Sequence, residues 1–195
     1  MTTSDPNQRI AFIKENGVDF ESRTLYIFDE VGQKNQTQIP ALRILDETDG
    51  SINILINSPG GDASIGVALY DCIKSLRNPT VSMNVGRAFS IAALILQAAG
   101  RRLMLPNAEI MIHNGFMVND VVEIDNESLQ SMMDDSKRSD AVYHKILAGR
   151  TGLPVSKIAK WCETDTFFSA KESLKFGFVD SVMDKGFIKP LRSRK

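Results

Sequence analysis

A serine, a histidine and several aspartates stand in this 195-residue chain where they could carry out nucleophilic acyl chemistry. The segment that holds the serine and the histidine runs from Ile54 to His113. It opens on the apolar run Ile54-Leu55-Ile56, passes into Asn57-Ser58-Pro59-Gly60-Gly61, continues to Val85-Gly86-Arg87-Ala88-Phe89-Ser90, and closes on Met111-Ile112-His113-Asn114. Two glycines after a strand and a proline let the backbone take positive φ and approach a ligand closely. N–H groups in such a turn can face a developing oxyanion. Pro-Gly-Gly is equally an ordinary strand-to-helix turn, and without a following Lys-Ser or Lys-Thr it is not a phosphate loop.

Ser90 precedes the apolar stretch Ile91 to Ala99. Its everyday use there is as a helix N-cap. The same place, beside unpaired N–H groups at the positive end of a helix dipole, would favour its alkoxide and a tetrahedral intermediate. His113 ends the strand-like Ile110-Met111-Ile112 and can serve as a general base. His144, the second of the two histidines, lies in a charged helical stretch, is read as exposed, and is the weaker candidate. A carboxylate is needed to hold the imidazole tautomer. Asp120, Asp125, Asp165 and Asp180 are the candidates, and spacing does not choose among them. Asp165 gains from Trp161 before it and Phe167-Phe168 after it, which would partly desolvate it and strengthen its hold on a histidine. Each of these residues has a structural use by itself. Together, in the chain order Ser, His, Asp, they supply the oxyanion turn, nucleophile, base and orienter that a hydrolase needs.

The elements that must position them alternate. Thr24 to Phe28 reads as a buried strand, Asp29 to Gln36 as a loop, and Ile39, Leu42, Ile44 and Leu45 as an amphipathic helix with Pro40 in its first turn. Ile52 to Ile56 is the next strand, and Ala63 to Leu76 a helix by its apolar spacing, ended by Asn78-Pro79. Thr80 to Val85 is strand-like, Ile91 to Ala99 a buried helix, and Leu103 to Leu105 and Glu109 to Ile112 two short strands. Strands alternating with helices imply an α/β domain with largely parallel pairing. Glu123 to Leu147 forms a long polar helix, either a solvated arm or a partner-facing one. Val155 to Trp161 is a short helix, Phe167-Phe168 a small strand, Ser169 to Glu172 a loose capping box, and Phe178 to Val182 a last strand. Residues 1–20 read as a flexible segment, 21–185 as one domain, and 186–195 as a basic, frayed tail.

Composition narrows the function classes. The chain is long enough for one full core, and a net charge of −1 gives no reason to expect nucleic acid. Cys72 and Cys162 form neither a disulfide framework nor a metal-ligand spacing. They read as buried reduced thiols of a cytoplasmic protein, and neither a metal nor another cofactor is expected. The first residues lack a basic stretch leading into an apolar one, so no signal peptide is expected. Ile91 to Ala99, interrupted by Gln97, is too short to span a membrane.

Five blocks, in one order, resemble the proteolytic subunit of the Clp protease, the ClpP serine peptidase family. They are Ile56-Asn57-Ser58-Pro59-Gly60-Gly61 with Gly66 and Tyr70-Asp71; Val85 to Ser90; Leu105-Pro106-Asn107 with Met111-Ile112-His113; Thr151-Gly152; and Glu163 to Ala170 with Gly177 and Val179-Asp180. The resemblance spans roughly residues 24–183. It implies a ClpP/crotonase-like α/β fold of stacked ββα units with a protruding handle helix. It implies Ser90 as nucleophile, His113 as general base, Asp165 as the triad aspartate, and the backbone N–H groups of Gly61 and Ile91 as the oxyanion hole. The implied activity is a serine endopeptidase acting through an acyl-enzyme on peptides or unfolded proteins, in a homo-oligomeric, heptamer-based ring served by an ATP-driven unfoldase.

Three departures from the family pattern stand out. Arg87-Ala88-Phe89-Ser90 replaces the usual Gln-Ala-Ala-Ser. Asn114-Gly115 and the residues through Asp120 replace a Gln-Pro and a glycine-rich strand, and Thr166 replaces a ring-bridging arginine. These changes are similar to divergent members from phages, some of which resemble head-maturation proteases. The other readings are a crotonase-type acyl-CoA enzyme, which needs no Ser/His/Asp set, and a non-enzymatic assembly subunit.

Overall fold

The computed structural model describes residues 5–115 and 125–183. In chain order its elements are α1 (Pro6–Asn16), β1 (Val18–Asp19), β2 (Thr24–Phe28), α2 (Gln33–Gln36), α3 (Gln38–Asp46), β3 (Ile52–Ser58), α4 (Ala63–Lys74), β4 (Thr80–Phe89), α5 (Ile91–Leu96), β5 (Arg101–Met104), β6 (Glu109–Ile112), α6 (Asn126–Thr151), α7 (Val155–Cys162), β7 (Thr166–Ser169), α8 (Ala170–Lys175) and β8 (Ser181–Val182). The sheet runs β1-β2-β3-β4-β5-β8, with β6 joined to β4 and to β7. All its pairings are parallel except β1 with β2 and β6 with β7. The parallel expectation holds, and helices supply the crossovers that parallel strands require.

The strand that organises the site is β4, which runs four residues beyond the expected Val85. Its first half, Val81 to Asn84, pairs with β5, and its second half, Arg87 to Phe89, pairs with β6. The strand changes neighbours around Val85-Gly86. Two asparagines stabilise the change: Asn84 donates through Nδ2 to the Glu109 carbonyl, 2.8 Å, and Asn57 Oδ1 accepts from the Arg87 N–H, 3.2 Å. The β3–β4 register shifts in the same region, between Ile56 and Ser58. A strand shared in this way delivers its C-terminal end, and the residue after it, beside β6.

Beyond Ser90, every residue of α5 is buried. Leu94, Ile95 and Leu96 have no exposed surface, and full burial of such side chains contributes about 1.5–3 kcal/mol each. That explains how a six-residue helix holds its place although short helices are marginal alone. It stops at Leu96, earlier than Ala99, and Gln97 is buried rather than a break in the apolar run. Its amide bonds to the Phe178 carbonyl, and its oxygen accepts from Arg102.

Other local differences have simple causes. Within 29–36, Asn35 caps the Gly32 N–H and nucleates the one-turn helix α2. The stretch before residue 20 is helical over Pro6–Asn16, with Asp5 as N-cap, and Arg9 pairs with both Asp19 and Glu21. The capping box at Ser169 and Glu172 has both halves in place. The last strand is only Ser181–Val182, because Asp180 is taken up by Arg102. The basic tail of residues 186–195 lies outside the described residues. No helix among the described residues is long and apolar enough to cross a membrane.

Candidate active site

Three strand ends meet at one edge of this fold. Phe89 of β4 is in register with Met111 of β6, and Ile112 of β6 is in register with Thr166 of β7. The residue after β4 is Ser90, the residue after β6 is His113, and the residue before β7 is Asp165. Because β6 and β7 are antiparallel, the end of one meets the beginning of the other, and Asp165 falls opposite His113. Side chains complete what the register begins. His113 Nε2 lies 2.8 Å from Ser90 Oγ, and His113 Nδ1 lies 3.2 Å from Asp165 Oδ1.

The Ser90 backbone is set for this. Its φ of 55° and ψ of −126° place a non-glycine residue in a region that costs of order 1–3 kcal/mol. The Ser90 N–H donates to the Met111 carbonyl at 2.8 Å, tying the serine to the strand that carries His113. Its hydroxyl makes no capping bond to α5, so the N-cap use is set aside and Oγ is committed to the imidazole. Gly60 sits against Ser90 and Gly61 against Val31, with φ of 103° and 144°. A Cβ on Gly60 would lie 2.7 Å from the Ser90 Cβ, and one on Gly61 would lie 2.2 Å from the Val31 carbonyl oxygen. The turn therefore needs both glycines for space as well as for conformation.

The serine opens into a cleft of about 910 Å³, and both Gly61 and Ile91 line it. Ile91 is the first residue of α5, where a helix N–H has no intrahelical acceptor. Val67, Ile91, Met111, Val142 and Tyr143 supply apolar lining to the cleft, and Glu30, Asp62 and Asp140 are its carboxylates.

The other candidate residues are placed elsewhere. Asp180 receives bonds from the Arg102 guanidinium at 2.6 and 3.2 Å and from the Arg102 N–H at 2.7 Å. Burial alone would raise its carboxyl, but these bonds outweigh that and hold it below the usual carboxylate range. Asp125 caps α6 through the Ser128 N–H. Asp120 lies outside the described residues, as does most of the segment that departs from the family pattern after His113. His144 is half-buried rather than exposed, and burial lowers its basicity. Its Nε2 lies 2.9 Å from Asn114 Oδ1. Asp165 itself is about half exposed, at 50% of its side chain. The expected apolar cover is absent because Trp161 turns away to pack against Phe168, Phe176 and Phe178. Neither thiol competes as a nucleophile: burial pushes Cys162 up to about 12 and raises Cys72 as well. Among the described residues no group of acidic, histidine or cysteine side chains could hold a metal ion.

A sequence model of the Clp protease family matches residues 13–186. The chain belongs to the Clp protease family. Its fold is also that of a ClpP1 point mutant from Listeria monocytogenes, with a TM-score of 0.76 and 24% identity over 85% of this chain and 94% of that one. At that identity the likeness speaks for the fold alone.

In this Clp protease family member three neighbours of the site carry no sequence signal. Asp62 caps α4 at the cleft rim, accepting from the Ser64 and Ile65 N–H groups. Asp140 accepts from the Gly115 N–H at 2.9 Å. Tyr143 donates its hydroxyl to the Ser90 carbonyl at 2.9 Å. Asp140 and Tyr143 belong to none of the motif blocks and lie on a helix whose apolar pattern is faint. Only the i, i+3 spacing of the two residues on α6 could have indicated a shared face.

Proposed function

We propose that this chain is a serine endopeptidase that cleaves peptide bonds through an acyl-enzyme. The observation that carries the reading is the relay from Ser90 through His113 to Asp165 at the wall of a cleft large enough for an extended peptide. Ser90 Oγ attacks the scissile carbonyl while His113 Nε2 takes its proton, and Asp165 holds the Nδ1–H tautomer and steadies the imidazolium. The tetrahedral oxyanion is received by the N–H groups of Gly61 and Ile91. Collapse breaks the C–N bond, and His113 returns the proton to the leaving amine. Water, deprotonated by His113, then releases the acyl group and restores the Ser90 hydroxyl.

The substrate class in this reading is a peptide or unfolded protein bound in extended form. Over Asn126 to Val142 no residue of α6 is buried, and Leu129 and Met133 are among its exposed apolar side chains. That half of the helix supports assembly with further copies, and the family resemblance points to a ring and to delivery by an ATP-driven unfoldase.

Fluorophosphonate labelling of the purified protein tests the reading. Labelling that vanishes in both Ser90→Ala and His113→Ala is the expected result. A folded, assembled wild type that takes no label would overturn it.

The lining of the cleft also predicts a charge preference. It includes Glu30, Asp62 and Asp140 but neither lysine nor arginine among the described residues. Fluorogenic peptides with an acidic side chain beside the scissile bond should be cleaved about 5- to 10-fold less efficiently than neutral or basic ones, and the gap should narrow as salt is raised. Equal kcat/KM values for matched acidic and basic peptides at low salt would count against it.

A further inference from the structure

The Ser90 carbonyl is held from outside its own helix. It accepts from the Ala93 N–H within α5, 3.0 Å, and from the Tyr143 hydroxyl on α6, 2.9 Å. Tyr143 is buried, with 9% of its surface exposed, and its ring belongs to the core. The next group in the chain is the Ile91 N–H. Ser90 C=O and Ile91 N–H belong to one planar trans peptide unit, so they point in opposite directions and turn together. Whatever fixes the oxygen fixes the aim of that N–H. The Ser90 N–H is fixed on its other side by Met111, and the φ of 55° and ψ of −126° between the two peptide units is a strained pair that relaxes unless its surroundings hold it. Rotation about ψ alone would leave Ser90 on its strand and swing the Ile91 N–H away from the cleft.

We propose that Tyr143 is a positioning residue for the oxyanion hole: its hydroxyl, acting through the Ser90 carbonyl, keeps the Ile91 N–H aimed at the site of the developing charge. The inference rests on the serine-peptidase reading and deepens it by assigning the hole a support on α6. Burial raises the phenol well above its ordinary value, so the hydroxyl keeps its proton and remains a donor over the working pH range.

Tyr143→Phe is the test. It keeps the ring in the core and leaves the Ser90 carbonyl its bond from Ala93. Peptide kcat should fall about 10- to 100-fold, below the loss typical of deleting a whole oxyanion donor, with KM within about twofold. Affinity for a peptide aldehyde, whose adduct with Ser90 places an oxyanion in the hole, should fall by the same factor as kcat. Affinity for the uncleaved peptide, measured with Ser90→Ala and Ser90→Ala/Tyr143→Phe proteins, should stay unchanged. Aldehyde values are referred to titrated active sites, so partial unfolding scales out. Unchanged kcat and aldehyde affinity in Tyr143→Phe, or equal losses for aldehyde and uncleaved peptide, would overturn the inference while wild-type labelling still upheld the peptidase reading. A wild type that neither labels nor turns over would instead remove the reading beneath it.

Discussion

Ser90→Ala is expected to lower peptide turnover by about a millionfold, the scale on which removal of a serine nucleophile disables such a relay. The fold should be untouched. The hydroxyl does not cap α5, so the helix loses no bond when it goes. Alanine adopts the strained backbone no less readily than serine, and the Ser90 main-chain bonds to Met111 and Tyr143 do not involve the side chain. Steady-state hydrolysis of a fluorogenic peptide checks the first half of the expectation, and thermal unfolding with sedimentation checks the second. Residual turnover within tenfold of wild type would mean that another group attacks the substrate, and the assignment of Ser90 would fall. Any small remaining rate is the share that binding and the oxyanion amides supply without a nucleophile.

Asp165→Asn is the second large effect, about a thousandfold in kcat. The asparagine amide can donate to His113 Nδ1, which favours the tautomer with its proton on Nε2. That nitrogen then faces Ser90 Oγ as a donor and cannot take the serine proton. A buried aspartate in this role is worth nearer ten-thousandfold. Asp165 is half exposed and 3.2 Å from the ring, so water can take over part of its task. The imidazole nitrogens in NMR spectra of ¹⁵N-labelled protein distinguish the cause: the Nε2–H form should dominate in the variant and the Nδ1–H form in wild type. A loss of kcat with no change of tautomer would make Asp165 an electrostatic partner only.

The strands and helices around the site were legible because their apolar spacing is strong. Ile52 to Ile56 and Ala63 to Leu76 lie close to the observed elements, and the wholly buried α5 follows from Ile91 onward as expected. The chain order Ser, His, Asp was legible too; spacing left four aspartates open, and only the family block Glu163 to Ala170 pointed to Asp165, the residue that the antiparallel register sets opposite His113 by pairing Ile112 with Thr166. Nothing local in the sequence encodes that pairing. The environment of Asp165 was misjudged for a related reason. Neighbours in sequence, Trp161 and Phe167, are directed by the packing of α7 and β7, and the indole joins Phe168, Phe176 and Phe178 instead. The support from Tyr143 was hidden because it joins a side chain to a carbonyl 53 residues away, and a main-chain acceptor leaves no mark in the sequence.

The left-handed backbone at Ser90 has an evolutionary corollary. Glycine alone occupies such a conformation without strain, so Ser90→Gly would relieve part of the 1–3 kcal/mol or so held there. A population of variants screened for heat resistance and nothing else would then be drawn toward inert proteins at this position. Heat-tolerant isolates recovered without an activity screen would therefore carry glycine at 90 more often than chance.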